Sequence, residues 1–116
     1  MREVGRLLEG YRKFRAETFQ PQRDVFETLA QEGQKPRTMV IGCCDSRVDP
    51  TAVFGAGPGD LFVIRNVANL VPPFEPHGDF HGTSAAIDFA VTGLGVEDIV
   101  ILGHAGCGGI KAYLDG

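Results

Sequence analysis

Three short apolar runs constrain the fold more than anything else in this chain: Thr38-Met39-Val40-Ile41-Gly42-Cys43, Leu61-Phe62-Val63-Ile64 and Ile99-Val100-Ile101-Leu102. Each is too short for a helix, rich in β-branched residues and bounded by Gly, Pro or Asp, the marks of a buried strand. Between the last two, residues 83–94 read as a helix, with Thr83 or Ser84 capping its start and Gly93 or Gly95 near its end. Ala85, Ala86, Ile87, Phe89, Ala90 and Val91 make it apolar on nearly every side, which predicts deep burial. Strand, connection, strand, helix, strand is the order of a parallel α/β sheet. The expected fold class is therefore α/β, a parallel-sheet core with flanking helices.

A different pattern precedes the core. Residues 1–37 carry 8 basic and 6 acidic side chains, against 3 basic and 9 acidic in residues 38–116. In this arm Val4, Leu7, Leu8, Tyr11 and Phe14 recur at helical spacing, and a second short helix is expected over residues 22–32, with Val25, Phe26 and Leu29 inward and Gly33 as its stop. The stripe packs either on its own domain or on a second subunit. The division is thus a helical arm over 1–37 and an α/β core over 38–116. Three parallel strands are few for an independent fold, and Ile110-Lys111-Ala112-Tyr113-Leu114 reads as a helix just beginning. The core is expected to be incomplete at its C-terminal side.

Composition narrows the function. The 116 residues suit one hydrophobic core, and a net charge of −4 disfavours nucleic acid or an anionic membrane surface as partner. No run approaches the length of a membrane span and no signal-like apolar segment opens the sequence, so a cytoplasmic location is expected. Three cysteines in such a chain read as ligands, nucleophiles or core residues rather than as disulfide partners.

In open parallel sheets, ligands bind beyond the carboxyl ends of the strands. The reactive residues sit there: Cys43-Cys44-Asp45-Ser46-Arg47 after the first run, Arg65-Asn66 after the second, His104 and Cys107 after the third. His104-x-x-Cys107 places an imidazole and a thiol on one turn. A thiolate from Cys43 or Cys44 would complete a Cys₂His set with an open fourth position, the ligand count of a catalytic zinc. The competing reading is a satisfied core histidine and a buried cysteine.

Taken together, Cys43-x-Asp45-Ser46-Arg47, Arg65-Asn66-Val67-Ala68-Asn69 and His104-x-x-Cys107-Gly108-Gly109 resemble the β-class carbonic anhydrases, over about residues 34–113. The resemblance implies one zinc per chain, held by Cys43, His104 and Cys107, and an enzyme that reversibly hydrates carbon dioxide to bicarbonate and a proton. It implies a catalytic dyad in which Arg47 holds Asp45 off the metal while Asp45 accepts a hydrogen bond from the attacking water. Phe62, Val67 and Phe89 are implied to line the substrate pocket, with the N–H of Gly108 as a donor and Gln34 reaching a neighbouring subunit's pocket. A homodimer or higher even oligomer is the implied assembly. Cys44 occupies a variable position of the motif, and strand alternation points it away from Cys43, as a small core residue. Some relatives have a bicarbonate pocket marked by a tryptophan and a proline; Val40 and Asp49 stand there, so the resemblance is to the open type. The alternatives are hydrolysis of carbon disulfide or carbonyl sulfide at the same site, and a non-catalytic zinc-stabilised module.

Two weaker signals remain. Gly55-Ala56-Gly57-Pro58-Gly59 has the glycines of a phosphate loop but no Gly-Lys-Ser/Thr ending and precedes a strand, so it reads as a turn. His77 and His81, in the loop over 72–82, read as solvated histidines or as proton shuttles.

Overall fold

The computed structural model describes residues 2–74 and 82–116, and the chain divides into two compact units after Gln34. His77 and His81 lie outside the described residues.

The N-terminal unit is helical. Helix α1 (Arg2–Lys13) runs through a π-helical turn (Phe14–Phe19) and a 3₁₀ turn (Gln20–Gln22) into α2 (Arg23–Glu32), which stops at Gly33 with φ 83°. Phe26 packs on Phe14 and Phe19, with ring centroids 6.2 and 5.1 Å away. Val25 and the stripe Val4, Leu7, Leu8, Tyr11 and Phe14 stay exposed, so among the described residues of this unit the apolar face is covered only where Phe26 meets Phe14.

The second unit holds the sheet. Strands β1 (Thr38–Cys43), β2 (Leu61–Asn66) and β3 (Asp98–Ile101) are all parallel, in the order β2-β1-β3. The short helix α3 (Pro50–Val53) follows β1, and Asp49 caps it by accepting from the Thr51 N–H at 3.0 Å. Helix α4 (Gly82–Asp88) continues as a π-helical segment (Phe89–Leu94) that ends on Gly95 in the left-handed conformation, and α5 is Gly108–Asp115. The register pairs Ile41 with Ile64 and Ile101, so the three apolar runs stack across the sheet. On one face Met39 and Ile41 are fully buried against Ala90, with Phe62, Ile64, Ala86, Ile87 and Val96 around them. On the other face Gly42 leaves room for Pro50, whose Cγ would lie 3.1 Å from any Cβ at that position.

Several expectations are corrected here. The 83–94 helix is not deeply buried: Ala90 is its buried residue, while Phe89 and Val91 are half exposed. It begins at Gly82, so neither Thr83 nor Ser84 is its cap; the Thr83 hydroxyl instead accepts from Asn66 Nδ2 at 3.2 Å. Strand β3, read as buried, is exposed along its whole length, because among the described residues too little packs on its two faces to cover its apolar side chains. Cys44 is exposed rather than a core residue. The strand ends at Cys43, so alternation no longer governs the next side chain; the Cys44 N–H, donating to Asn66 O at 2.8 Å, is its tie to the sheet. The glycine-rich segment before β2 is a turn, closed by Asp60 Oδ2 accepting from the Gly57 N–H at 2.7 Å.

Candidate metal centre

Three segments converge at the carboxyl end of the sheet. Cys43 is the last residue of β1, His104 lies in the loop after β3, and Cys107 is the residue from which α5 starts. Their ligand atoms all lie within 4.8 Å of one another, and the two sulfurs are 3.8 Å apart. Two thiolates each about 2.3 Å from a tetrahedral ion stand about 3.8 Å apart. The sulfur pair therefore already has the spacing of zinc ligands.

The imidazole is prepared for the same task. His104 Nδ1 lies 3.1 Å from the Ala105 carbonyl oxygen, which can only accept, so Nδ1 carries the proton and Nε2 presents a lone pair. Nε2 is buried and has no partner at hydrogen-bonding geometry. An orphaned buried nitrogen is costly in an ordinary core, and here it faces two thiols. The donor set fits zinc. The Cys43 thiol is pulled down to about 6, chiefly by the His104 imidazole and then by the Asp45 backbone N–H, and Cys43 in turn raises His104. Cys44 is not part of this cluster and stays exposed.

Asp45 and Arg47 close one side. Asp45 Oδ1 accepts from the Arg47 backbone N–H at 2.8 Å and from its Nε at 3.0 Å, while Oδ2 accepts from Nη2 at 2.8 Å. Those bonds hold the Asp45 carboxyl well below the usual carboxylate range. Nη2 also donates to the Gly106 carbonyl at 3.0 Å, so Arg47 joins the Cys43 loop to the His104 loop. The Arg47 side chain is 65% exposed and that of Asp45 17%. Such a half-exposed pair contributes little stability, and its value is geometric.

A third segment supports Cys43. The Ala68 N–H points at Cys43 Sγ from 3.4 Å, with Ala68 at φ 72° and Asn69 at φ 45°, left-handed conformations uncommon for residues other than glycine. Asn66 holds the turn, its side chain donating to Leu70 O and accepting from Leu70 N, both at 2.8 Å. Gly109 packs beneath it: a Cβ there would lie 2.6 Å from Val67 Cγ1 and 2.9 Å from Ala68 Cβ. Asn66, Ala68 and Gly109 all fall inside the motifs quoted above, yet none of the three has an expected role there.

The residues expected at the substrate divide into two groups. Gly108 opens α5 beside Cys107, and Val67, 66% exposed, lies just after β2 in a cavity of about 630 Å³ lined also by Leu70, Pro73, Thr83 and Tyr113. Phe62 and Phe89 stack with centroids 5.6 Å apart, but Phe62 pairs with Met39, four residues before Cys43 on β1. About 13 Å of strand thus separates them from the metal cluster, and a single chain does not bring them to it. Gln34 is exposed and closes the N-terminal unit. Among the described residues no helix is long and apolar enough to cross a membrane.

Comparison with known proteins gives concordant results. Residues 38–116 match the family described as carbonic anhydrase. The chain is 44% identical over 109 residues to a carbonic anhydrase of Synechococcus elongatus, an alignment covering 94% of this chain and 39% of that protein. In structure it is similar to the β-carbonic anhydrase CcaA, with a TM-score of 0.91 and 42% identity over 99% of this chain and 50% of the other. It is also similar to a tetrameric β-carbonic anhydrase of Sordaria macrospora, with a TM-score of 0.84 and 36% identity over 98% of this chain and 55% of that one. The chain spans about two fifths of the length of the curated relatives it matches.

Proposed function

The chain belongs to the β-class carbonic anhydrase family, and from that membership we propose that it carries the zinc centre of an enzyme that interconverts carbon dioxide and bicarbonate. One observation carries the reading: two sulfurs 3.8 Å apart face a buried, unpartnered His104 Nε2, with the Asp45 carboxylate 3.9 Å beyond that nitrogen. Cys43, His104 and Cys107 would hold the ion. Zinc in such a site supplies Lewis acidity, making water a nucleophile near neutral pH.

The chain's own groups do the rest. Asp45 is ionised and fixed by Arg47, so its carboxylate accepts a hydrogen bond from the attacking water and aims a lone pair at carbon. Arg47, tied also to Gly106 O, keeps that carboxylate from joining the ligand set. Carbon dioxide offers no charge, so its pocket needs apolar walls and few donors; Val67 supplies wall and the N–H of Gly108 a donor.

Phe62, Phe89 and Gln34 serve this chemistry in a pocket of a second copy. The uncovered stripe on α1 gives that copy a surface to pack on, and the tetrameric Sordaria relative supports an even-numbered assembly. The metal-ready, unbridged thiols suit a reducing compartment such as the cytoplasm.

Stopped-flow measurement of carbon dioxide hydration by the zinc-loaded protein, beside Asp45→Asn, tests the proposal. Hydration by the parent and its loss in the variant are expected. Zinc bound in full with no hydration would refute it, and turnover of carbon disulfide or carbonyl sulfide in its place would reassign the substrate.

A further inference from the structure

Arg65 is the penultimate residue of β2 and pairs in register with Gly42. Side-chain alternation sends it to the face opposite Ile64 and Asn66. There it runs past Gly42, its Cγ 4.0 Å from where a Cβ would stand, an ordinary contact distance. The guanidinium then meets the loop that links β1 to α3. Nε donates to the carbonyl of Cys43 at 2.7 Å, and Nη2 donates to the carbonyls of Asp45 at 2.6 Å and Val48 at 2.9 Å. One planar fork thus holds three main-chain oxygens.

Two of these oxygens belong to the residues on which the site depends. Cys43 presents the sulfur and Asp45 the carboxylate; the Cys44 N–H ties the stretch between them to Asn66 O at 2.8 Å, but the Asp45 carbonyl has otherwise only a long bond, from the Val48 N–H at 3.3 Å. Arg65 adds a donor to that same carbonyl and a second one to Cys43. Lysine cannot replace it: a single ammonium has no rigid fork with which to span three acceptors.

We propose that Arg65 is a positioning residue that fixes the Cys43 sulfur and the Asp45 carboxylate relative to each other while touching neither metal nor substrate. The catalytic consequence rests on the function proposed above; the geometric one does not.

The test uses Arg65→Lys and Arg65→Gln in the metal-loaded protein, with zinc content, kcat and KM, and the thiolate-to-metal charge-transfer spectrum of the cobalt form. Both variants should keep one metal per chain, shift the cobalt spectrum, and lose about a hundredfold in kcat with KM little changed, the scale expected for a misplacement near 1 Å. A parental cobalt spectrum in both variants would overturn the proposal. So would loss of the circular-dichroism signal of the folded protein in both, which would assign Arg65 to the fold alone. An inactive parent would count against the proposed reaction, whereas the cobalt spectrum, read without turnover, would still decide the placement of Cys43.

Discussion

His104 Nε2 and Asp45 Oδ2 stand 3.9 Å apart, facing the same small space yet too far apart to bond. Arg47 sets that separation, because it engages both oxygens of Asp45 and is anchored in turn to Gly106 O.

Removing the anchor should let the carboxylate move toward the ligands. Arg47→Ala is expected to retain zinc, to lower carbon dioxide hydration about a hundredfold, and to add an oxygen from Asp45 to the metal shell. X-ray absorption reads the shell, and pairing the change with Asp45→Ala should remove the added oxygen. An unchanged rate in Arg47→Ala would contradict this role.

The ligand assignment predicts a sharp contrast between adjacent cysteines. Cys43→Ala, His104→Ala and Cys107→Ala should each lose stoichiometric zinc and activity together. Cys44→Ala, altering an exposed thiol off the cluster, should lose neither. Metal analysis after dialysis against a weak chelator distinguishes them.

The thiol of Cys43 gives a pH signature in the metal-free protein. Its pKa is depressed to about 6. Thiolate formation therefore stabilises the metal-free fold above the unfolded thiol's pKa, and that contribution is lost as pH falls through about 6. Ultraviolet thiolate absorbance should titrate with a midpoint near that value and vanish in Cys43→Ser. Zinc uptake should weaken over the same range, since the ligand must shed its proton. A midpoint in the ordinary thiol range would contradict the imidazole–thiol contact.

Gly109 supplies a packing test. A methyl there would press on Val67 Cγ1 at 2.6 Å and on the Ala68 backbone nitrogen at 3.1 Å, whereas one at Gly103 meets nothing within 4 Å. Gly109→Ala should cost about 1–3 kcal/mol in urea unfolding and weaken zinc binding, because the displaced N–H is the one aimed at Cys43. Gly103→Ala should do neither.

Much of this was legible in the residues, and what was not has identifiable causes. The run 38–43 forms a strand because its apolar, β-branched side chains fill both faces, and Met39, Val40 and Ile41 are buried as that pattern requires. The same pattern misleads in β3, since apolarity says what a strand can bury and not which neighbours cover it. Cys44 misleads because alternation holds only as far as the strand does. The π-helical turns at 14–19 and 89–94 change a hydrogen-bond register that has no compositional signature. The Cys43, His104 and Cys107 side chains carried their own chemical signal. The supports were less legible: Arg65 stands out as a charged residue at a strand end, but it and Ala68 act on or through the main chain, whose donors and acceptors are alike at every position.

Cys43 and Cys107 are 64 residues apart in the chain, yet their sulfurs nearly touch. An ion shared by both closes a loop of that length, tying the end of the central strand to the start of α5. For a covalent bridge, closure on this scale removes on the order of 4 kcal/mol of conformational freedom from the unfolded chain, and coordinate bonds draw on the same source. The ion that enables chemistry would then also act as a clasp. Chelation should shorten the protein's survival against proteases as well as stop turnover, so that zinc supply sets how long each molecule lasts.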